Sequence, residues 1–188
     1  RIVISLLALL VALSASAGIR VMSYNVRLGV AKDGDNSAKE YCILDLGYQA
    51  IRMYMFRGDR HIVTRELEIG MNSLDQVISD VYNVDIHLAH TYLLTNYEGC
   101  TANERLVAAY NSIAVELMRA INFYRFSNPD STLSDIWLCG GGAVIEPLCD
   151  AVSSTLDMTI HPAAELIPDT GGVPDAHSYV QTVGITLD

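Results

Sequence analysis

Three consecutive glycines, Gly140, Gly141 and Gly142, follow the apolar run 136–139 and lead toward Glu146-Pro147-Leu148. A residue without a Cβ lets main chain come against a ligand's ring or phosphate and accepts positive φ at little cost. A helix opening just beyond turns its free N–H groups toward the same spot, a natural seat for phosphate. A plain tight turn is the other reading that a glycine triplet leaves open. Upstream, Asp45-Leu46-Gly47 closes a second apolar run. An aspartate there can approach the water shell of a bound cation, or it can bond the N–H groups of its own turn. Glu116 and Arg119 stand three apart on a helical segment and so share a direction. They suit either a ligand or a simple surface ion pair. His87 and His90 are also three apart, but no Asp, Glu or Cys at matching spacing completes a metal set, which favours a packing or surface role. Cys42, Cys100, Cys139 and Cys149 form no CxxC pair and read as buried reduced thiols. Neither a GxxxxGK[ST] loop nor a nucleophile elbow around Ser5, Ser14 or Ser16 is present.

The elements that must position these residues follow from punctuation and periodicity. Residues 41–59 read as strands, with Arg57, Gly58, Asp59 and Arg60 at a hairpin turn and 61–69 as a third strand. Apolar residues at helical spacing predict a helix over 74–82, capped by Ser73, with Asp75 and Asp80 on its wet face. Another helix is predicted over 85–96. A longer one over 102–126 stops at Ser127-Asn128-Pro129, because proline cannot continue it. Pro147 falls too early in its helix to break it. After Ile160-His161-Pro162 comes a Pro/Gly-rich stretch to Pro174, then a closing helix over 176–187. Trp137, Tyr124, Phe123 and Phe126 read as core and edge aromatics. Residues 32–39 form a solvated loop, and no internal repeat is present.

The 188 residues suffice for one sizeable domain or two small lobes. A formal net charge of -10 and an isoelectric point near 4.8 argue against nucleic acid as a partner. Residues 1–17 have the three parts of a secretory leader: Arg1, an apolar core and SASA before Gly18. The run is short for a membrane span, and a structural helix ended by Gly18, followed by a strand over 19–25, is the preferred reading.

The order of motifs is informative as a set. A strand pair opening on Asp45-x-Gly47, then helices, then strand-GGG-helix resembles the nucleotide-binding half of the actin-like ATPases. Within them, RELEIGMNSLDQVISDVYNVDIHLAH (65–90), VELMRAINFYRF (115–126) and DIWLCGGGAVIEPL (135–148) are similar to the PilM family of type IV pilus assembly proteins, with the cell-division FtsA family next. The resemblance implies an α/β, actin-like (ribonuclease H-like) fold, mainly its second lobe, with a mixed sheet flanked by helices. Residues 1–38 would be a remnant of the first lobe plus a linker, and 39–188 the nucleotide-binding lobe. An earlier phosphate turn and an inserted partner-binding subdomain would be missing, so the chain reads as a fragment in which nucleotide binding is weakened.

The same resemblance implies ATP or ADP with Mg as cofactor. Asp45 would meet Mg through water, and Gly47 the phosphates. Gly140, Gly141 and Gly142 would lie against base and ribose, Glu116 near the ribose hydroxyls and Arg119 beside the adenine. Tyr48-Gln49-Ala50-Ile51 departs from the pattern by lacking a hydroxyl residue of the expected kind. That favours a scaffold with slow or absent hydrolysis, since phosphoryl transfer depends on positioning and charge neutralisation. The expected role is a cytoplasmic adaptor, peripheral to the inner face of the membrane and attached only indirectly. Its partner would be the tail of an inner-membrane pilus assembly protein, with self-association a further expectation. The rivals are an FtsA-like division protein, another actin-superfamily kinase, and a secreted binding protein with a leader at 1–17.

Overall fold

A computed structural model describes residues 39–58 and 60–166. The helix expected over 2–17, the strand over 19–25, the first-lobe remnant and the closing helix over 176–187 lie outside the described residues. Strands β1 (Glu40–Leu46), β2 (Ile51–Arg57) and β3 (Arg60–Leu67) form an antiparallel meander. Helices α1 (Asn72–Tyr82), α2 (Ile86–Thr95) and α3 (Glu104–Ser127) follow. The chain then re-enters the sheet as β4 (Asp135–Cys139), runs through α4 (Glu146–Thr155) and ends its regular structure with β5 (Thr159–Pro162). The sheet order is β3-β2-β1-β4-β5, with β4 parallel to β1 and β5 parallel to β4.

Central placement explains why β1 is a continuous rather than alternating apolar run, since every one of its residues is buried. Cys42, Leu44 and Leu46 join Ile51, Met53 and Met55 in the main core with the helices. Tyr41 and Ile43 point the other way, into a smaller cluster with Phe56 and Cys139, against which Tyr54 and Trp137 pack. Period-two geometry puts Asp45 on that second face, at the strand's end. The β2–β3 hairpin falls where the charged residues around Gly58 predict it, and Gly58 has φ 57°.

Helix ends follow local chemistry. Asp85 caps α2 by accepting from the N–H groups of His87 and Leu88, and Asn96 closes it in the left-handed region. Asn103 caps α3 by accepting from Arg105 N. That helix ends before Asn128-Pro129 as predicted, with the Asn128 amide donating back to Tyr124 O at 2.8 Å.

Three expectations are corrected. Ser73 does not cap α1: it lies inside the first turn and its hydroxyl donates to Gly70 O at 2.6 Å. Two N–H groups at this end instead go to the turn after β1, Met71 N to Gly47 O at 3.1 Å and Asn72 N to Tyr48 O at 2.9 Å. Asp75 is not on a wet face but fully buried, because Leu74, Asp75 and Ile78 share the inward side of α1. Phe126, at 85% exposed, is no core aromatic, and Phe123 is half exposed beneath the Arg65 guanidinium at 4.4 Å. Of the four aromatics, Tyr124 is buried in the main core and Trp137 packs, partly buried, against the smaller cluster. A further finding is β5 itself, a short strand where only the approach to a Pro/Gly-rich stretch is expected.

Candidate functional site

Parallel pairing of β1 with β4 sets Asp45 beside Cys139, so the turns leaving both strands emerge together at one edge of the sheet. Gly140 has φ 84°, and a Cβ built there would stand 2.3 Å from Asp45 Oδ1 and 3.0 Å from the backbone N and C of Leu46. The Asp45 carboxylate thus lies directly against the glycine turn. A third segment closes on the first two. A Cβ on Gly142 would meet Met71 Sδ at 2.5 Å and Leu46 Cβ at 2.7 Å, and one on Gly70 would meet Tyr48 O at 2.2 Å. Residues 45–50, 70–72 and 140–142 therefore form one cluster in which main chain touches main chain.

The three consecutive glycines are not equivalent. Gly140 and Gly142 are required by the protein's own packing. Gly141 is exposed and a Cβ there would meet nothing within 4 Å, so its bare main chain faces open space. That is the position from which backbone can lie against a flat ligand. A 3₁₀ turn, Gly141–Val144, intervenes before α4, whose second residue is Pro147.

Asp45 is 8% exposed, and burial raises its pKa while Arg52, its register partner on β2, pulls it down. Its charge in turn acts on its neighbours: after burial, Asp45 is the next cause raising the pKa of both Tyr54 and Cys139. All four cysteines are free; burial pushes Cys42 up to about 12 and Cys149 up to about 11, which makes these thiols poor nucleophiles at neutral pH.

Glu116 and Arg119 do share a face of α3, which packs on α4. Both are exposed and their hydrogen-bonded ion pair is with each other. His90 is taken by Asp75, with Nδ1 2.9 Å from Oδ2, whereas His87 Nα donates to the Asp85 cap. Among the described residues no group of three His, Cys, Asp or Glu is placed to hold a metal ion. Sequence reasoning missed Gly70, Met71 and Asp75. Their signal was an isolated glycine at a strand-to-helix joint, Ile69-Gly70-Met71, which marks close backbone approach.

The family described as type IV pilus assembly protein PilM matches residues 16–165. No curated protein matches the chain. Among solved structures, a PilM–PilN type IV pilus biogenesis complex aligns with TM-score 0.67 at 18% identity, covering 91% of this chain and 50% of that one. The ethanolamine utilization protein EutJ from Carboxydothermus hydrogenoformans gives TM-score 0.60 at 18% identity, over 87% of this chain and 53% of that one. An archaeal actin homologue in complex with ADP gives TM-score 0.58 at 13% identity, over 85% and 53%. The chain spans about half the length of these relatives.

Proposed function

The chain belongs to the type IV pilus assembly protein PilM family and has the actin-like fold, and from that premise we propose that its glycine-lined cluster is one wall of a nucleotide cleft in a pilus-assembly adaptor. The observation that carries this is the contact of Gly140 with Asp45, which joins the two turns into one surface with Gly141 open above it. ATP or ADP with Mg is the ligand of this reading, and a related fold holds ADP in the archaeal actin homologue. Asp45 meets the cation through water, Gly47 lies beneath the phosphates, and Gly140, Gly141 and Gly142 lie against base and ribose. Glu116 serves the ribose hydroxyls and Arg119 the adenine, which requires them to exchange their mutual ion pair for the ligand. Such an exchange is inexpensive at an exposed pair.

In this reading residues 39–188 are the nucleotide-binding lobe and 1–38 a first-lobe remnant with linker. Tyr48, Gln49 and Ala50 provide no side-chain donor like the expected hydroxyl, so nucleotide acts as a binding signal with slow or absent turnover. The partner is the tail of an inner-membrane pilus protein; the solved relative was determined with PilN. The adaptor is cytoplasmic and reaches the membrane through that partner. No helix among the described residues is long and apolar enough to cross a membrane. An FtsA-like division role or a kinase activity would use the same cleft, and the family match is what favours pilus assembly.

Titration of the intact protein with a fluorescent ATP analogue and Mg tests the cleft. Gly141→Asp places a carboxylate in the open space and should weaken binding by at least roughly tenfold, about 1.4 kcal/mol, through bulk and like charge. Its melting temperature should stay near wild type, because that Cβ meets nothing. Absence of binding by the intact protein, or unchanged binding by the variant, would discard the nucleotide claim.

A further inference from the structure

Asp75 is fully buried near the start of a helix, where a carboxylate needs partners. One oxygen, Oδ2, accepts from His90 Nδ1 on α2 at 2.9 Å. The other, Oδ1, is buried with no donor in hydrogen-bonding geometry. Tyr48 borders this pair. It stands in the turn after Gly47, its ring meets the His90 imidazole edge-on with centroids 5.8 Å apart, and burial followed by the Asp75 carboxylate raises its pKa. Tyr48 is 48% exposed, while its carbonyl lies against Gly70 on the other side of the turn.

We propose that Asp75, His90 and Tyr48 form a clasp that positions the Gly47–Ala50 turn against the α1–α2 pair. His90 and Asp75 are positioning residues: they act on the turn through Tyr48, His90 by its contact with the ring and Asp75 by an Oδ1 on which the Tyr48 hydroxyl closes. The main chain already ties the turn to α1 by two bonds, Met71 N to Gly47 O and Asn72 N to Tyr48 O. The clasp adds a side-chain tether from α2, so a shift of that helix is felt at the turn. The consequence for ligand affinity rests on the nucleotide reading; the clasp itself does not.

Amide hydrogen exchange on the intact protein reads the clasp directly, because the Met71 and Asn72 N–H groups are protected only while the turn is docked. His90→Ala and Tyr48→Phe should each speed exchange at Met71 and Asn72 about tenfold relative to β1 amides such as Leu44. His90→Asn keeps a donor near Nδ1 and should restore most of the protection. Unchanged exchange at Met71 and Asn72, or equal acceleration at every amide, overturns the clasp. Should His90→Ala fail to fold, Tyr48→Phe decides alone, since it retains the ring and removes only the hydroxyl. The same variants should weaken the fluorescent ATP analogue about tenfold; accelerated exchange with unchanged affinity overturns the link to the cleft. A wild type that binds no nucleotide defeats the nucleotide reading, and the exchange rates still judge the clasp.

Discussion

Gly140→Ala is expected to lower the melting temperature by about 6–12 °C, corresponding to about 3 kcal/mol in a domain of this size. Two costs combine. Holding a non-glycine residue at the φ 84° and ψ 174° of Gly140, a region essentially reserved for glycine, costs about 1–3 kcal/mol. Overpacking adds about 1–3 kcal/mol, because the new Cβ would stand 2.3 Å from Asp45 Oδ1 and 3.0 Å from Leu46 main chain. Gly141→Ala is the internal control: its Cβ meets nothing and its φ is not positive, so stability should change by no more than about 0.5 kcal/mol. The contact with Asp45 can be isolated further. In an Asp45→Ala background the 2.3 Å clash disappears while the φ cost and the Leu46 contacts remain. A double-mutant cycle of thermal melts should therefore show a coupling of about 1 kcal/mol between the two positions. Strict additivity would mean that the carboxylate does not rest on the glycine turn, and the single surface that the nucleotide reading needs would be lost with it.

Residues that act through their immediate neighbours were legible in the sequence. Gly58 among charges gives the hairpin, Asp85 ahead of an apolar run gives a capped helix, and Pro129 ends α3. The meeting of the Asp45 and glycine turns was legible only through the order of motifs, because parallel pairing of β1 with β4 is a long-range event. What escaped was decided by tertiary packing. Asp75 looks solvent-facing beside Gln76 and Asp80, yet α2 covers it and supplies His90 as its partner. Ser73 has the right type for a cap, but the carbonyls of Gly47 and Tyr48 already receive N–H groups of the preceding residues, and its hydroxyl turns back to Gly70. Gly70 was visible as an isolated glycine at a joint, but the main chain it must admit was not: Tyr48 O comes within 2.2 Å and Gln49 C within 2.5 Å of where its Cβ would be. Strand β5 is four residues long and ends on Pro162, which a sheet edge tolerates and a periodicity rule does not see.

Glu40→Gln should produce the other large loss, and its pH dependence identifies the cause. Glu40 begins β1 and is 1% exposed. Its carboxylate accepts from Arg57 Nε at 2.9 Å, from Arg57 Nη2, from the Ser131 hydroxyl and from Thr132 N at 3.1 Å. One side chain thereby ties the β1–β2 pair to the connection between α3 and β4, the same β4 that carries the glycine turn. Breaking these charge-assisted bonds while the amide keeps the volume should cost about 2–3 kcal/mol, or about 5–10 °C. Arg57 is half exposed and can return to water, which keeps the cost below that of a fully buried pair. Burial by itself would raise the pKa of Glu40, but the Ser131, Arg57 and Thr132 donors outweigh it and hold it below the usual range. A depressed folded-state pKa contributes stability above the unfolded value of about 4.3, and that stability is lost as pH falls through the folded value. Asp135 has the same sign, whereas Asp45 and Asp75 are raised and act in the opposite sense, so the acid limb of the whole protein is a sum of opposed contributions. The difference between wild type and Glu40→Gln removes those shared terms. Thermal melts from pH 7 to pH 3 should show a constant gap down to about pH 5 that shrinks below it. A gap independent of pH would mean that shape, and not charge, is what Glu40 contributes where the sheet meets the α3–β4 connection.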